Sequence, residues 1–209
     1  MGLVDQETKK VFIGGDSAGV CGDFLILVER PKIFARGAFI FGCTTSFRMM
    51  QLVEFSFEPP HPEKRIGFSH HEDLIIDDDI LLRYMSTIFV DKLRESMKSG
   101  GFLVNRGGQE SGGEFLVGYK SRLFKISDDF SVLEYKEGFC AAGSGETYAV
   151  SALHVLNKVG KAIKPEKKIS LALETAAMYS TGVRPPFHIL DTEGKNVTPL
   201  QVEGESKGK

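Results

Sequence analysis

Residues 1–16 read Met1-Gly2-Leu3-Val4-Asp5-Gln6-Glu7-Thr8-Lys9-Lys10-Val11-Phe12-Ile13-Gly14-Gly15-Asp16. Two short apolar segments, 2–5 and 10–13, flank a polar turn at 6–9, which is the signature of a β-hairpin. The hairpin leads into more strands. Residues 24–28 form a continuous apolar run and residues 38–41 another, with Arg36-Gly37 as the turn before the second. Continuous runs suit strands covered on both faces, so the sheet is expected to be sandwiched.

The periodicity then changes to helical. Phe47, Met50, Val53 and Phe57 recur at helical spacing after Thr44-Thr45-Ser46, which reads as a cap, and Pro59-Pro60 is expected to stop the element. Asp77 to Asp79 suits a helix N-terminus. Behind it Leu81, Met85, Phe89, Leu93 and Met97 recur every fourth residue until Gly100-Gly101. The polar connection 58–76 has no predictable form. Residues 105–113 read as a glycine-rich loop, and 115–119 with 123–126 as a second hairpin, followed by strands at 131–134 and 139–142. A second helix pair is expected to present Tyr148, Ala152, Val155 and Val159 on one face, and Ile169, Ala172, Ala176 and Tyr179 on the other helix. Residues 187–190 form a last strand.

The order is strands, helix pair, strands, helix pair, strand. Two sheets packed face to face, each with a helix pair outside it, would bury every apolar stripe: an α+β, four-layer αββα sandwich. A single domain over 1–200 and a charged, disordered tail at 201–209 are expected.

Composition narrows the function classes. The net charge of −2 carries no bias toward nucleic acid or anionic membranes, and no apolar run reaches the length of about 20 residues that spans a bilayer. Cys21, Cys43 and Cys140 are odd in number and make no CxxC, as in a reduced, cytoplasmic protein without a disulfide frame or zinc ribbon. No cofactor is expected. His70-His71-Glu72 with Asp77 to Asp79 could be imagined as metal ligands, but adjacent histidines on a strand point to opposite sides. Residues 107–113 lack the Gly-Lys-Ser/Thr of a phosphate loop.

Four segments together resemble a known family, the proteasome β subunits and more closely HslV, the peptidase subunit of a bacterial two-component ATP-dependent protease. Val11-Phe12-Ile13-Gly14-Gly15-Asp16 resembles its second strand, which ends in Gly-Asp. Pro31-Lys32-Ile33-Phe34, with a following strand ending at Gly42, resembles its lysine-bearing segment. Ala142-Gly143-Ser144-Gly145 resembles its Gly-Ser-Gly turn. Ser180-Thr181-Gly182-Val183 resembles the segment that closes its site. Each alone has a plain structural reading: a turn, a solvated lysine, a helix N-cap. Their order and spacing carry the resemblance.

The resemblance implies an N-terminal-nucleophile hydrolase in which the first residue's hydroxyl attacks a peptide carbonyl and its own α-amine serves as base. Lys32 would be the ammonium that favours the nucleophile, Asp16 its ion-pair partner, Gly42 N–H the oxyanion donor, and Ser144 a partner of the α-amine. It also implies a homo-oligomeric ring acting on unfolded polypeptides, with an unfoldase ATPase as a possible partner. The apolar girth of the helix after Asp77 (Ile80, Leu81, Leu82, Tyr84, Met85, Ile88, Phe89 and Val90) would serve that assembly.

Two positions depart from the family. Met178 stands where many β subunits carry an aspartate, which HslV-type chains also lack, and Thr181 stands in place of a serine. The family's mature chain begins with threonine, whereas this sequence begins Met1-Gly2-Leu3. If Val4 faces Val11, antiparallel pairing sets Asp16 opposite a position about two residues before Met1, where the nucleophile belongs. Loss of Met1 would expose Gly2, which has nothing to attack with. As written, the sequence is therefore expected to be inactive as a threonine-type endopeptidase. A ring-forming scaffold that has lost its nucleophile and an amidase of the same class acting on small substrates are the alternatives. Cys21 as a processed nucleophile would require removal of the whole first hairpin and Asp16.

Overall fold

The computed structural model describes residues 1–62, 78–160 and 162–198. The first hairpin forms in the expected register. Strands β1 (Gly2–Val4) and β2 (Val11–Gly15) pair antiparallel with Val4 opposite Val11, Leu3 opposite Phe12 and Gly2 opposite Ile13. The remaining strands are β3 (Ala18–Cys21), β4 (Phe24–Leu27), β5 (Ile33–Arg36), β6 (Phe39–Cys43), β7 (Val104–Arg106), β8 (Gln109–Ser111), β9 (Phe115–Tyr119), β10 (Arg122–Ile126), β11 (Val132–Glu134), β12 (Phe139–Cys140) and β13 (His188–Asp191). Helix α1 is Phe47–Phe55. Helix α2 runs as Asp78–Tyr84, passes through a π-helical Met85–Phe89 and ends as Val90–Ser99. Helices α3 and α4 are Glu146–Val159 and Pro165–Tyr179.

Two antiparallel sheets carry the architecture. One has the order β12-β1-β2-β13 and the other β11-β10-β9-β6-β5. Val11, Ile13, Ile33, Ile40, Leu116, Leu123 and Cys140 form a buried cluster where the sheets meet. Phe12, on the opposite side of β2 from its neighbours Val11 and Ile13, joins Leu153, Ile169, Ala172 and Leu173 of α3 and α4. Gly14 lies on this side too. A Cβ there would meet Ile169 Cγ2 at 2.3 Å, so its absence sets how closely α4 approaches β2. The five-stranded sheet packs against α1 and α2 through a phenylalanine-rich cluster that includes Phe34, Phe41, Phe57 and Phe89.

Helix α2 keeps Leu81, Met85, Phe89, Leu93 and Met97 all buried. In a regular helix, four steps of four residues carry side chains about 160° around the axis. The wider π turn takes back part of that rotation and returns the second half of the stripe to the sheet. Tyr84 and Val90 are buried as well, and Ile80 and Leu82 half-buried, so of the eight apolar residues expected to serve assembly only Ile88 is exposed. The girth of this helix is consumed by the core.

Other expectations change in instructive ways. The apolar run at 24–28 is not sandwiched: β4 pairs with β3 alone, in a two-stranded hairpin, and Phe24, Leu25, Ile26 and Leu27 are all exposed. Helix α1 ends at Phe55, before the prolines, with Ser46 as N-cap accepting from Arg48 N–H, and Phe57 enters the core from beyond the helix. The glycine-rich loop is a short hairpin, β7–β8, whose turn residues Gly107 and Gly108 both have positive φ, as a primed turn needs. On α3 the buried residues are Ala149 and Leu153, whereas Tyr148, Val155 and Val159 are exposed. The stripe expected to be buried thus lies largely at the surface, since a helix rich in small and apolar residues offers two plausible faces. On α4, Ile169, Ala172 and Ala176 are buried as expected, and Tyr179 is exposed. Most of the 58–76 connection, Asp77, the His70-His71-Glu72 cluster and the 201–209 tail lie outside the described residues. Among the described residues no helix is long and apolar enough to cross a membrane.

Phe89 stacks on Phe41, meets Phe57 edge-on and is tilted against Phe39 and Tyr84. Phe89→Ala is expected to lower the unfolding free energy by about 3–5 kcal/mol, read from the urea midpoint.

Candidate active site

Strand β2 runs out at Gly15, and the chain turns at Asp16. Gly15 is bare for a reason: a Cβ would meet Ile33 Cγ2 at 2.9 Å. This close approach brings Asp16 to Lys32, the residue before β5. Lys32 Nζ donates to Asp16 Oδ1 at 2.7 Å, and the two side chains are only 16% and 13% exposed. The other carboxylate oxygen, Oδ2, accepts from Ala18 N–H at 2.8 Å and Arg184 N–H at 3.1 Å. Ion pairing and two backbone donors together fix the carboxylate, and hydrogen bonds to a charged acceptor are the stronger kind.

Arg184, which the sequence reading passed over, ties this point to the end of α4. Its guanidinium donates to the carbonyls of Ala177, Ser180 and Val183, satisfying acceptors that a helix C-terminus leaves open. Ser17 adds a second strap: its N–H donates to Arg184 O at 2.9 Å and its hydroxyl to Pro186 O at 2.8 Å.

Ser144 arrives from the other side. Gly143 has φ +96°, and a Cβ there would meet Thr44 Oγ1 at 2.5 Å; a Cβ on Gly182 would meet Ser144 Oγ at 2.4 Å. The N-cap of α3 is Gly145, without a side-chain cap bond, so Ser144 is not held in place by the capping role that a Gly-Ser-Gly turn ordinarily suggests. Gly42 of β6 lies opposite Ile33 and Leu116, where a Cβ would meet Ile13 Cγ2 at 2.6 Å. Asp16, Lys32, Gly42 and Ser144 all line one pocket, together with Met1 and Gly182. A second cleft adjoins it between β3 and the start of α1, sharing Lys32, Thr44 and Ser144 and adding Val20, Phe47 and Met50.

Met1 extends the β1 ladder into this pocket. Its α-ammonium donates to Gly14 O at 2.8 Å, and its carbonyl accepts from Gly14 N–H at 2.8 Å. Continuing the register puts the partner of Gly15 one residue before Met1 and the partner of Asp16 two before it. Burial depresses the pKa of the Met1 ammonium, while Cys140, Asp16 and Glu146 pull against that depression.

A further charged group borders the site. Lys125 of β10 pairs with Glu146, the first residue of α3 and part of the pocket wall. Neither residue stands out in the sequence, because a lysine in an alternating strand and a glutamate opening a helix look like surface residues. Met178 is 77% exposed and so contributes nothing to the pocket. Among the described residues no group of three or more His, Cys, Asp or Glu is placed to hold a metal.

No protein-family model and no curated protein matches the sequence. Solved structures do match the fold. BPH from Thiobacillus denitrificans, in complex with epoxomicin, superposes with a TM-score of 0.71 at 18% identity, covering 95% of this chain and 98% of that one. Eukaryotic HslV from Trypanosoma brucei gives 0.61 at 16% identity, covering 91% and 97%. A helical assembly of the Anbu complex from Pseudomonas aeruginosa gives 0.54 at 15% identity, covering 92% and 84%. The chain has the proteasome-like Ntn-hydrolase fold. Within this fold the strand pair β1–β2, the lysine before β5 and the turn before α3 occupy one end of the sheets.

Cys43 and Cys140 are buried; burial drives both thiol pKa values up, that of Cys140 to about 12, whereas Cys21 is exposed on the β3–β4 hairpin. A disulfide exchange reagent at mildly alkaline pH is expected to titrate one thiol per native chain and all three after denaturation.

Proposed function

We propose that this Ntn-hydrolase fold serves a threonine-type peptidase subunit, and that its nucleophile belongs two residues before Met1. The observation that supports this best is the convergence of Asp16, Lys32, Gly42 and Ser144 on one pocket, at the end where β1 enters it. In this reading the fold is a four-layer αββα sandwich, one domain over 1–200. A hydroxyl at the upstream position attacks the peptide carbonyl, and the α-amine of the same residue takes its proton. Lys32, held by Asp16, favours the deprotonated form electrostatically. The oxyanion develops beside the end of β6 at Gly42, whose own N–H is turned to Leu116 in the β9 ladder because the next N–H, that of Cys43, donates to Lys32 O on the β5 side. Ser144 accepts from the α-amine and passes its proton on. The adjoining cleft with Val20, Phe47 and Met50 receives the substrate side chain beside the scissile bond.

The subunit is proposed to act in the cytoplasm as a homo-oligomeric ring on unfolded polypeptides, with an unfoldase ATPase supplying them. Helix α2 does not supply the contact surface, because its apolar residues are buried. The exposed Phe24, Leu25, Ile26 and Leu27 of β4 are better candidates, along with Val155, Val159, Met178 and Tyr179 on the outer helix pair. Exposed apolar groupings of this kind mark association surfaces. Phe24→Asp with Leu27→Asp is expected to shift the sedimentation profile at micromolar concentration from oligomer toward monomer. A wild-type chain that sediments only as monomer would count against the ring.

The chemistry is tested by adding what the register calls for. A chain beginning at Met1 is expected to leave a fluorogenic peptide intact. A version whose mature N-terminus is a threonine two residues before Met1 should cleave it and be blocked by epoxomicin. Lys32→Ala in that version should lower turnover by at least about 10³-fold. An extended chain that folds and stays inactive would favour a scaffold of the same fold.

A further inference from the structure

Lys125 lies where a lysine is costly. It sits on β10, and strand alternation puts its side chain on the same face as Leu123, toward the apolar layer between the sheets. Its side chain is 8% exposed. An ammonium in such a place requires partners. It has them: Glu146 Oε1 at 2.8 Å and Glu114 Oε2 at 3.7 Å. Burial works to lower its pKa, but Glu146, Glu114 and Tyr135 more than offset this, so the pKa is raised.

Stability gives little reason for the pair. Replacing a buried ion pair with apolar groups of similar volume is often neutral or favourable. Position gives a better reason. Glu146 is the first residue of α3, where a carboxylate is favoured by the helix dipole, and its N–H donates to Gly143 O at 3.0 Å, closing the turn that carries Ser144. Lys125 belongs to the five-stranded sheet, whereas α3 packs with α4 and β12 beside the other sheet. The pair therefore joins two layers right beside the pocket. The turn has no side-chain cap of its own to do this.

We infer that Lys125 is a positioning residue: through Glu146 it holds the turn at 143–145 so that Ser144 stays against Gly182 in the Asp16–Lys32 pocket. The kinetic part of this inference rests on the peptidase reading; the structural part does not. The titratable groups around the Met1 α-amine at the entry of β1 are Cys140, Asp16, Glu146 and Lys32, and Lys125 itself faces Glu146, Glu114 and Tyr135. Removing Lys125 leaves Glu146 unpaired beside that amine, which raises the amine's pKa; removing the Glu146 charge lowers it.

Hydrogen exchange on the full chain tests the structural part without any activity. Lys125→Met and Glu146→Gln should each speed exchange at the amides of 143–147, and Lys125→Arg should not. In the threonine-bearing version, Lys125→Met should lower kcat about 10- to 100-fold with little change in KM, the scale of a misplaced group. The acid limb of kcat/KM should move to higher pH in Lys125→Met and to lower pH in Glu146→Gln, opposite shifts that loosened packing would not produce. Unchanged exchange at 143–147 in Lys125→Met, or an Arg variant that behaves like Met, overturns the inference. An inactive threonine-bearing parent sinks the peptidase reading alone, and exchange still decides the role of Lys125.

Discussion

The Asp16 carboxylate is the point on which separate parts of the chain depend. One oxygen holds the Lys32 ammonium from the start of β5; the other holds the backbone at Ala18 and at Arg184. The three donors come from the five-stranded sheet, the β3–β4 hairpin and the segment leaving α4. A carboxylate this enclosed must be fully paired, because a buried charge without partners is expensive. Satisfying it therefore fixes the relative placement of those three segments. The lysine is immobilised as a consequence, and its charge is presented at a defined place in the pocket.

Charge alone does not bring the walls so close. At Gly14, Gly15, Gly42, Gly143 and Gly182 a single added carbon would sit within 3.0 Å of a neighbour. Two of these glycines set distances between layers: Gly14 between β2 and α4, and Gly42 between the two sheets. A second pair, Gly143 and Gly182, lets Thr44, the Ser144 turn and the segment after α4 stack closely. Backbone, not side chain, forms much of the pocket wall.

Much of this was legible in the sequence, and the rest was hidden for identifiable reasons. The register of the first hairpin followed from Val4 and Val11 flanking one turn, and Asp16 with Lys32 followed from the segments that resemble the family. Patterns that depend on what lies outside an element were misread. Phe24 to Leu27 form as continuous an apolar run as Phe39 to Phe41, yet one is exposed and the other buried, because β6 is covered on one face by the helix layer and on the other by the facing sheet. Periodicity reports the shape of a stripe, not its cover. The apolar girth of α2 looked too wide for one sheet, and the π turn helps that sheet absorb it. Arg184, Lys125 and Glu146 carried no signal, since their roles lie in contacts far apart in sequence.

Ser144 and Lys125 divide two roles that a Gly-Ser-Gly turn before a helix can join in one residue. A Gly-Ser-Gly turn before a helix would normally stiffen itself, with the serine as cap. Here the cap position falls on Gly145, and the serine is displaced toward Gly182. A turn of two glycines and a serine has high backbone entropy to lose, so it needs restraint from elsewhere. Glu146 supplies that restraint at the first helical residue, anchored to Lys125 in the opposing sheet. The Ser144 hydroxyl makes no cap bond and is left to the pocket, and the Lys125–Glu146 pair supplies the restraint at the start of the helix.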